Sequence, residues 1–259
     1  MVERSARRGI ATVVAPEPLV AGTSITLGEE IAHHLRVRRI EVGDRVGLRD
    51  GAGTVAEGTL VRLAKGAAVV DCDQVQQLAP PAPVHLLVPV ADRDRMLWLA
   101  EKVTELGATS WRPVLWRRSR SVASKGEGKT FGARVRARME SALGQSGGAW
   151  LPATYPEAPV DRAISALPAD GARLVLERGH ATLAAVPLAA PVILAIGPEG
   201  GFDADELEQL RAAHFVAVGI GPSILRFETA GVAALGIVTA RLHTDTDLSA
   251  HALPSAHNG

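Results

Sequence analysis

Two glycine-bearing segments decide the fold of this chain: IGPEGGF at residues 196–202 and IGPSILRFETAG at residues 220–231. Each follows a short apolar run and precedes a segment with helical spacing of apolar residues, so each predicts a strand–loop–helix unit. Strands that alternate with helices form mostly parallel sheets, and ligands of such sheets bind beyond the carboxyl ends of the strands. The two segments therefore predict the ligand-binding loops of an α/β domain.

The same alternation extends through the second half of the chain. The predicted strands are 84–90, 110–116, 173–177, 192–196 and 215–220, and the predicted helices are 94–106, 132–143, 205–213 and 228–242. This pattern predicts a mostly parallel sheet that is covered on both faces.

The N-terminal part of the chain has a different pattern, in which short strands are separated by turns. Gly43-Asp44 and Asp50-Gly51 are turn dipeptides on either side of an alternating segment. The predicted strands are 45–49, 54–63 and 67–72, and a short helix is predicted over 27–39. Together they predict a small β-barrel.

A proline-rich segment separates the two patterns. Ala79-Pro80-Pro81-Ala82-Pro83 cannot join a central strand or a helix interior, so it predicts a stiff linker. The predicted division is a β-barrel domain at 1–76, a linker at 77–83, an α/β domain at 84–245 and a flexible tail at 246–259.

Composition excludes several classes of protein. The chain has 259 residues, of which 47% are apolar and 22% charged, so a largely disordered chain is excluded. Cys72 is the single cysteine, which excludes a disulfide framework and a Cys-rich zinc module, and the histidines lack metal-site spacing, so we expect no metal. The longest apolar run, 186–196, is too short to cross a bilayer, and the N-terminus lacks an apolar signal segment. We therefore expect a cytoplasmic protein.

The formal net charge is zero, but the basic residues are concentrated in two segments. The first segment carries nine cations against Glu127: Arg112, Arg117, Arg118, Arg120, Lys125, Lys129, Arg134, Arg136 and Arg138. The second contains Arg36, Arg38, Arg39, Arg45 and Arg49. Such an uneven surface can bind phosphates without net basicity, and solvated helix faces and loops are the alternative.

The first glycine-bearing segment has features of a ligand loop and of a helix start. Gly197 and Gly200 would let backbone amides approach a ligand closely. Asp203, followed three residues later by Glu206, has the pattern of a capping box. A glycine-rich turn without a ligand explains the same residues, and this alternative stays open.

The second segment combines apolar and charged residues. Ile224 and Leu225 offer an apolar wall, and Arg226, Glu228 and Thr229 bring a cation, a carboxylate and a hydroxyl to one helix start. The chain lacks the GxGxxG fingerprint of dinucleotide enzymes, the GxxxxGK[ST] loop of triphosphate enzymes and the GxSxG elbow of serine hydrolases. These three enzyme classes are therefore not indicated.

In combination, GPEGGF at 197–202 and GPSILRFETAG at 221–231 resemble the SPOUT methyltransferases. More narrowly they resemble the RsmE family, which methylates N3 of a uridine in small-subunit ribosomal RNA. Three further segments agree in the same order along the chain. Residues 33–44 with 50–51 resemble the family's PUA-like barrel, residues 101–108 its first helix, and residues 117–121 a basic loop.

The resemblance implies an α/β SPOUT domain with a deep trefoil knot, preceded by a small PUA-like RNA-binding β-barrel. It implies S-adenosylmethionine as cofactor, a homodimer, and methylation of uracil N3 in 16S ribosomal RNA of the small subunit. The implied cofactor-binding residues are Leu176, Glu177, Ile196, Gly197, Pro198, Gly200, Ile220, Gly221, Ile224 and Leu225.

Three residues are the predicted catalytic residues: Arg226, Glu228 and Thr229. Our hypothesis is that Arg226 stabilises the developing uracil anion or its phosphate, while Glu228, or a water that it orders, accepts the N3 proton. The alternative for Glu228 is a carboxylate favoured by the helix dipole, or an ion pair with Arg226. The predicted RNA-binding residues are Arg36 and Arg39, one helical turn apart, with Arg117, Arg118 and Gln145.

The sequence departs from the family pattern at four positions. Ser223 stands where the family usually has Arg, and Phe227 where it usually has Thr. Gly144 and Gly148 replace an expected Glu and Arg, and only Gln145 remains of that motif. The loss of two arginines weakens phosphate or base contacts. Two other functions therefore stay open: a SPOUT methyltransferase for transfer RNA or ribose, and an RNA-binding or ribosome-assembly homologue without catalysis.

Overall fold

The computed structural model describes residues 10–119 and 128–243. They form two compact units, one of residues 10–80 with 140–150 and one of residues 81–119, 128–139 and 151–243. No helix in the described ranges is long and apolar enough to cross a membrane. Several features of the sequence analysis lie outside the described residues: the N-terminal residues 1–9, Arg120, Lys125, Glu127, the side chain of Lys129 and the predicted tail at 246–259.

The first unit is a five-stranded sheet with a short helix. Its elements are β1 (Ala11–Val14), β2 (Ser24–Leu27), α1 (Glu29–Val37), β3 (Arg45–Arg49), β4 (Thr54–Leu63) and β5 (Ala68–Gln77). The strand order is β1-β3-β4-β5-β2, with β1 parallel to β3 and the other pairs antiparallel. Its core contains the buried side chains of Leu27, Leu35, Leu48 and Leu60. The predicted strands at 45–49 and 54–63 are confirmed.

Strand β5 continues past the predicted end at residue 72. Its polar residues 74–77 pair with residues 54–57 of β4, and the Thr54 hydroxyl donates to Gln77 Oε1 at 2.9 Å. The strand was predicted to end at residue 72 because the residues that follow are mostly polar. Backbone pairing with β4 nevertheless keeps them in the strand.

Helix α1 ends earlier than predicted. Arg39 has a left-handed backbone with φ of 56°, the Arg39 N–H donates to Arg36 O at 2.9 Å, and the Ile40 N–H donates to Leu35 O at 3.0 Å. These bonds form a Schellman motif, in which Ile40 packs with Leu35. Arg39 therefore lies beyond the helix, and the expectation that Arg36 and Arg39 are one helical turn apart is wrong.

The second unit is built around a parallel sheet. Its elements are β6 (Val84–Pro89), α2 (Arg93–Glu105), β7 (Ser110–Leu115), α3 (Gly128–Ser146, whose last residues belong to the first unit), β8 (Ala153–Thr154), β9 (Ala158–Pro159), α4 (Val160–Ser165), β10 (Ala172–Leu176), β11 (Val192–Ala195), α5 (Ala204–Ala212), β12 (Val216–Val218) and α6 (Phe227–Leu242). The strand order is β12-β10-β11-β6-β7-β8, with β9 beside β7, and all the pairs are parallel. The predicted parallel sheet is confirmed.

Both faces of this sheet are buried. In β6, Leu86 packs in the apolar cluster that includes α2 and α6, whereas Leu87 packs in the cluster that includes α4 and α5. Leu194 and Ile193 of β11 divide in the same way. This alternation follows from the two-residue period of a strand and explains why both strands read as continuous apolar runs.

Residues 140–150, which the sequence analysis assigned to the α/β domain, group with the first unit. The Gly53 N–H donates to Ala149 O at 2.9 Å, and Trp150 Nε1 donates to Ala79 O at 3.2 Å. Trp150 also pairs with Ala52 in a β-bridge. These long-range contacts have no counterpart in local periodicity, from which the prediction was made.

Candidate functional site

Three loops, which follow β10, β11 and β12, lie together at the carboxyl edge of the parallel sheet. β10 pairs with both β11 and β12, so the segments that follow these strands leave neighbouring positions. The Glu177 N–H donates to Val218 O at 2.9 Å, and Leu176, Ile196 and Ile220 belong to one apolar cluster. The structure thus brings the predicted cofactor-binding residues to one edge, where parallel sheets bind ligands.

The loop after β11, residues 196–203, is called here the first loop. It turns where the Gly201 N–H donates to Pro198 O at 2.9 Å, with Gly201 φ at 71°. A Cβ on Gly197 would lie 2.8 Å from Cε2 of Phe202. The Phe202 ring packs edge-on against Trp116, with 4.9 Å between the ring centroids. Gly197 is therefore required by the packing of the chain itself. The predicted capping box of Asp203 and Glu206 is present.

Two predicted RNA-binding arginines hold the first loop. The Arg117 guanidinium donates to Asp203 Oδ1 at 2.8 Å and lies 3.1 Å from Asp205 Oδ2. The Arg118 guanidinium donates to Gly200 O at 2.8 Å. Both side chains are thus engaged within the unit, and RNA binding by them stays a prediction.

The loop after β12, residues 219–226, is called here the second loop, and its residues 221–226 are exposed. Ile224 is 82% exposed and Leu225 is 37% exposed, so the predicted apolar wall is open. The side chain of Arg226 is exposed and makes no hydrogen bond or ion pair with the described residues. Thr229, in the first turn of α6, is also exposed.

An arginine that the sequence analysis missed joins the first loop to the start of α6. Arg95, in the first turn of α2, forms an ion pair with Glu199 of the first loop. Its Nε lies 3.8 Å from Oε1 of Glu228, at the start of α6. The alternative ion pair of Glu228 with Arg226 is therefore not the one formed. A cation in the first turn of a helix opposes the helix dipole, which is the signal that could have marked Arg95.

The second carboxylate oxygen of Glu228 is distinctive. Glu228 is 8% exposed, and its buried Oε2 has no hydrogen-bond partner among the residues that the structure describes. A buried acceptor without a donor costs about 1–3 kcal/mol, so such an atom indicates a place for a ligand or water.

A cavity of about 530 Å³ lies between residues 178–182 and 219–222. Ile220 and Gly221 of the predicted cofactor-binding set line it, together with Arg178, His180 and Thr182, which the sequence analysis missed. His180 Nε2 lies 3.4 Å from Glu177 Oε2. The volume is within the range of small-molecule sites.

The remaining predicted RNA-binding residues belong to the first unit. Arg36 is exposed, and its guanidinium donates to Ala32 O at 3.2 Å and to Lys65 O at 3.1 Å. Arg39 and Gln145 are also exposed. Across 10–119 and 128–243, no group of three or more His, Cys, Asp or Glu residues could hold a metal ion.

Two known families match this chain. The RNA methyltransferase domain matches residues 79–239, which contain the three loops, and the RNA methyltransferase PUA domain matches residues 27–71. The ribosomal RNA small subunit methyltransferase E (RsmE) of Mycobacterium bovis is 33% identical over 244 residues, which cover 85% of this chain and 87% of that protein. The chain belongs to the RsmE family. The sequence-based identification is thereby confirmed.

Solved structures agree with membership of the RsmE family. A Neisseria gonorrhoeae ribosomal RNA small subunit methyltransferase E bound to S-adenosylmethionine is 27% identical, with a TM-score of 0.82 over 90% of this chain and 98% of that one. A Legionella pneumophila protein solved with the same cofactor shares the fold at 24% identity, with a TM-score of 0.84 over the same fractions. The predicted α/β fold with an N-terminal PUA domain is confirmed.

Proposed function

We propose that this RsmE-family chain transfers a methyl group from S-adenosylmethionine to N3 of a uracil in 16S ribosomal RNA. The observation that carries the proposal is the buried Oε2 of Glu228, which has no hydrogen-bond donor among the described residues and lies at the start of the helix that follows the second loop. Uracil N3 bears a weakly acidic proton, and an ionised carboxylate oxygen is an acceptor for it.

The edge formed by the three loops fits S-adenosylmethionine. Apolar side chains of Leu176, Ile196 and Ile220 suit an adenosine, and the adjoining cavity is large enough for part of a nucleoside. The N. gonorrhoeae relative is bound to this cofactor. When bound, the cofactor supplies a methyl group activated by a sulfonium. The residues that would hold it are Leu176, Glu177, Ile196, Gly197, Pro198, Gly200, Ile220, Gly221, Ile224 and Leu225.

The chain's own residues handle charge and the proton. Glu228 Oε2 accepts the N3 proton, directly or through a water, because burial leaves this oxygen without a competing donor. Arg226, two residues before Glu228, is exposed. It stabilises the negative charge that develops on the uracil or on a neighbouring phosphate. The exposed hydroxyl of Thr229 binds the target nucleotide.

RNA binding divides between the two units. Arg36, Arg39 and Gln145 are exposed on the first unit, which contains the PUA match, and they contact RNA. Arg117 and Arg118 contribute less, because their guanidinium groups are engaged with the first loop. A Cβ on Gly144 would lie 2.9 Å from Thr12 O. The backbone therefore packs too closely at this position for the Glu that the family pattern has there.

Family membership supports further features of the proposal. The loops of the α/β domain form a deep trefoil knot, the five-stranded sheet closes into a PUA-like barrel, and two copies pair so that RNA lies across both. We assign the protein to the cytoplasm, where ribosomal subunits are assembled.

The departures at Ser223 and Gly148 favour a second candidate, an RNA-binding homologue without catalysis. Separate incubations of unmethylated small subunits and of unmethylated transfer RNA with labelled S-adenosylmethionine, followed by nucleoside analysis, separate the possibilities. We expect label in 3-methyluridine. Label in a ribose methyl group or in transfer RNA would support another SPOUT activity, and absence of label together with no cofactor heat in calorimetry would support the binding homologue.

A further inference from the structure

Arg95 occupies a position that the helix carrying it does not favour. It lies in the first turn of α2, where the partial positive charge of the helix end repels a cation. Its own N–H donates to Oδ1 of the N-cap residue Asp92 at 3.1 Å, so the backbone there is well defined. The guanidinium must therefore be compensated by anions from outside the helix.

The two compensating carboxylates come from the two glycine-bearing segments. Glu199 belongs to the first loop, and Glu228 begins the helix after the second loop. The Arg95 side chain is 32% exposed and that of Glu228 is 10% exposed, so the Glu228 contact is the less hydrated one. The single guanidinium thus ties both segments to α2.

The geometry of Glu228 separates its two oxygens by role. Oε1 faces Arg95 Nε at 3.8 Å, and Oε2 has no partner within the described part of the chain. An ion pair on one oxygen fixes the orientation of a carboxylate and so directs its other oxygen. Arg95 therefore satisfies the charge of Glu228 on one oxygen and leaves the other oxygen available.

We propose that Arg95 is a positioning residue for methyl transfer, which orients Glu228 with Oε2 free and fixes the first loop against the start of α6. This inference rests on the proposed function, in which Glu228 accepts the proton. Arg95 itself does not touch the reacting atoms; it acts on the reaction through Glu228, and its ion pair with Glu199 fixes the first loop.

The test compares single-turnover methylation by the full chain and its variants Arg95→Gln, Arg95→Lys, Glu228→Gln and the double variant Arg95→Gln/Glu228→Gln. We expect Arg95→Gln to lower the rate at saturating cofactor by about tenfold or more while the cofactor Kd changes by less than about threefold. Arg95→Lys keeps the charge and should stay within about threefold of the parent rate. The double variant should be no slower than Glu228→Gln alone, because Arg95 acts through that carboxylate.

The matched control is Arg211→Gln, which removes a guanidinium that is paired with Glu208 at 3.1 Å on the surface of α5. We expect no change in rate beyond about twofold, because such exposed pairs contribute little. The inference is overturned if Arg95→Gln behaves like this control, or if its effect multiplies that of Glu228→Gln in the double variant.

A second readout does not depend on the reaction. Amide hydrogen exchange at Glu199–Gly201 should become about threefold faster or more in Arg95→Gln, because the first loop loses its tie to α2. If the parent chain fails to methylate uracil, the proposed function fails, and exchange still decides whether Arg95 fixes the loop. Unchanged exchange at these residues would overturn the inference even in an active enzyme.

Discussion

The first and second loops leave neighbouring parts of one sheet edge, yet they are built differently. The first loop is held by side chains from elsewhere in its unit, since Arg95, Arg117 and Arg118 all contact it. The side chains of residues 221–226 make no hydrogen bond or ion pair with the described ranges. One loop is therefore prefolded by its own chain, whereas the other presents free groups to a ligand, to RNA or to another copy.

The comparison also separates two uses of glycine. A Cβ on Gly197 would collide with Phe202, whereas a Cβ on Gly221 would have no described atom within 4 Å. The same residue type therefore serves internal packing in the first loop and leaves open space in the second. A glycine in a loop sequence does not by itself reveal which of the two applies.

The largest expected effect distinguishes the carboxylates associated with the two loops. Glu228→Gln should lower single-turnover methylation by about 100-fold or more, because general-base catalysis typically contributes that much. Glu199→Gln should lower it by less than about tenfold, because Glu199 acts only through Arg95. Rates measured with saturating cofactor and small subunits make the comparison. Equal losses in the two variants would contradict the different roles.

The next effect tests the two glycines. Gly197→Ala should lower the free energy of unfolding by about 1–3 kcal/mol, because Phe202 has to move against Trp116. Gly221→Ala should change it by about 0.5 kcal/mol or less, because the added methyl group meets no neighbour. Urea denaturation of both variants provides the measurement. Equal destabilisation would show that the second loop is as tightly packed as the first.

A smaller effect concerns the exposed apolar wall of the second loop. Ile224→Thr should weaken S-adenosylmethionine binding by about fivefold, since part of an isoleucine side chain is buried only when the ligand is bound. The free energy of unfolding should change by less than about 0.5 kcal/mol. Val216→Thr, at a 56% exposed residue of β12, is the matched control. Calorimetry in which both variants bind like the parent would remove Ile224 from the cofactor site.

The smallest effect separates a free arginine from an engaged one. Arg226→Gln should reduce the salt dependence of RNA binding by about 0.7 in the log–log slope, as expected for one lost phosphate contact to a single strand. Arg117→Gln should reduce the log–log slope by less than about half as much as Arg226→Gln does, because the Arg117 guanidinium is paired with Asp203. Binding titrations over a range of salt concentrations test this order. The reverse order would mean that Arg117 leaves the first loop to bind RNA.

Local patterns predicted several elements in each of the two units. The alternation of β3 and β4, the apolar run of β11 and the capping box of α5 are each recorded in a few consecutive residues. The two-residue strands β8 and β9 were missed because they are too short for a period to be recognised. The end of α1 was missed because a non-glycine residue, Arg39, adopts the left-handed conformation there.

The chemical detail of the site depends on contacts between distant segments, which a single sequence does not record. Residue 95 meets residues 199 and 228 only after the sheet has formed. The loop at 178–182 carries no motif, yet it lines the cavity beside Ile220 and Gly221. The glycine-bearing motifs and the family resemblance led to the correct edge of the sheet, but the residue that joins the first loop to the start of α6 was visible only in the structure.

The most direct test of the three-loop site is amide hydrogen exchange with and without S-adenosylmethionine. The account predicts added protection at residues 177–182, 196–201 and 219–225, and the largest increase in the second loop, because the side chains of residues 221–226 make no hydrogen bond or ion pair with the described residues. Protection confined to other segments, or none at saturating cofactor, would contradict the claim that these three loops form the cofactor site.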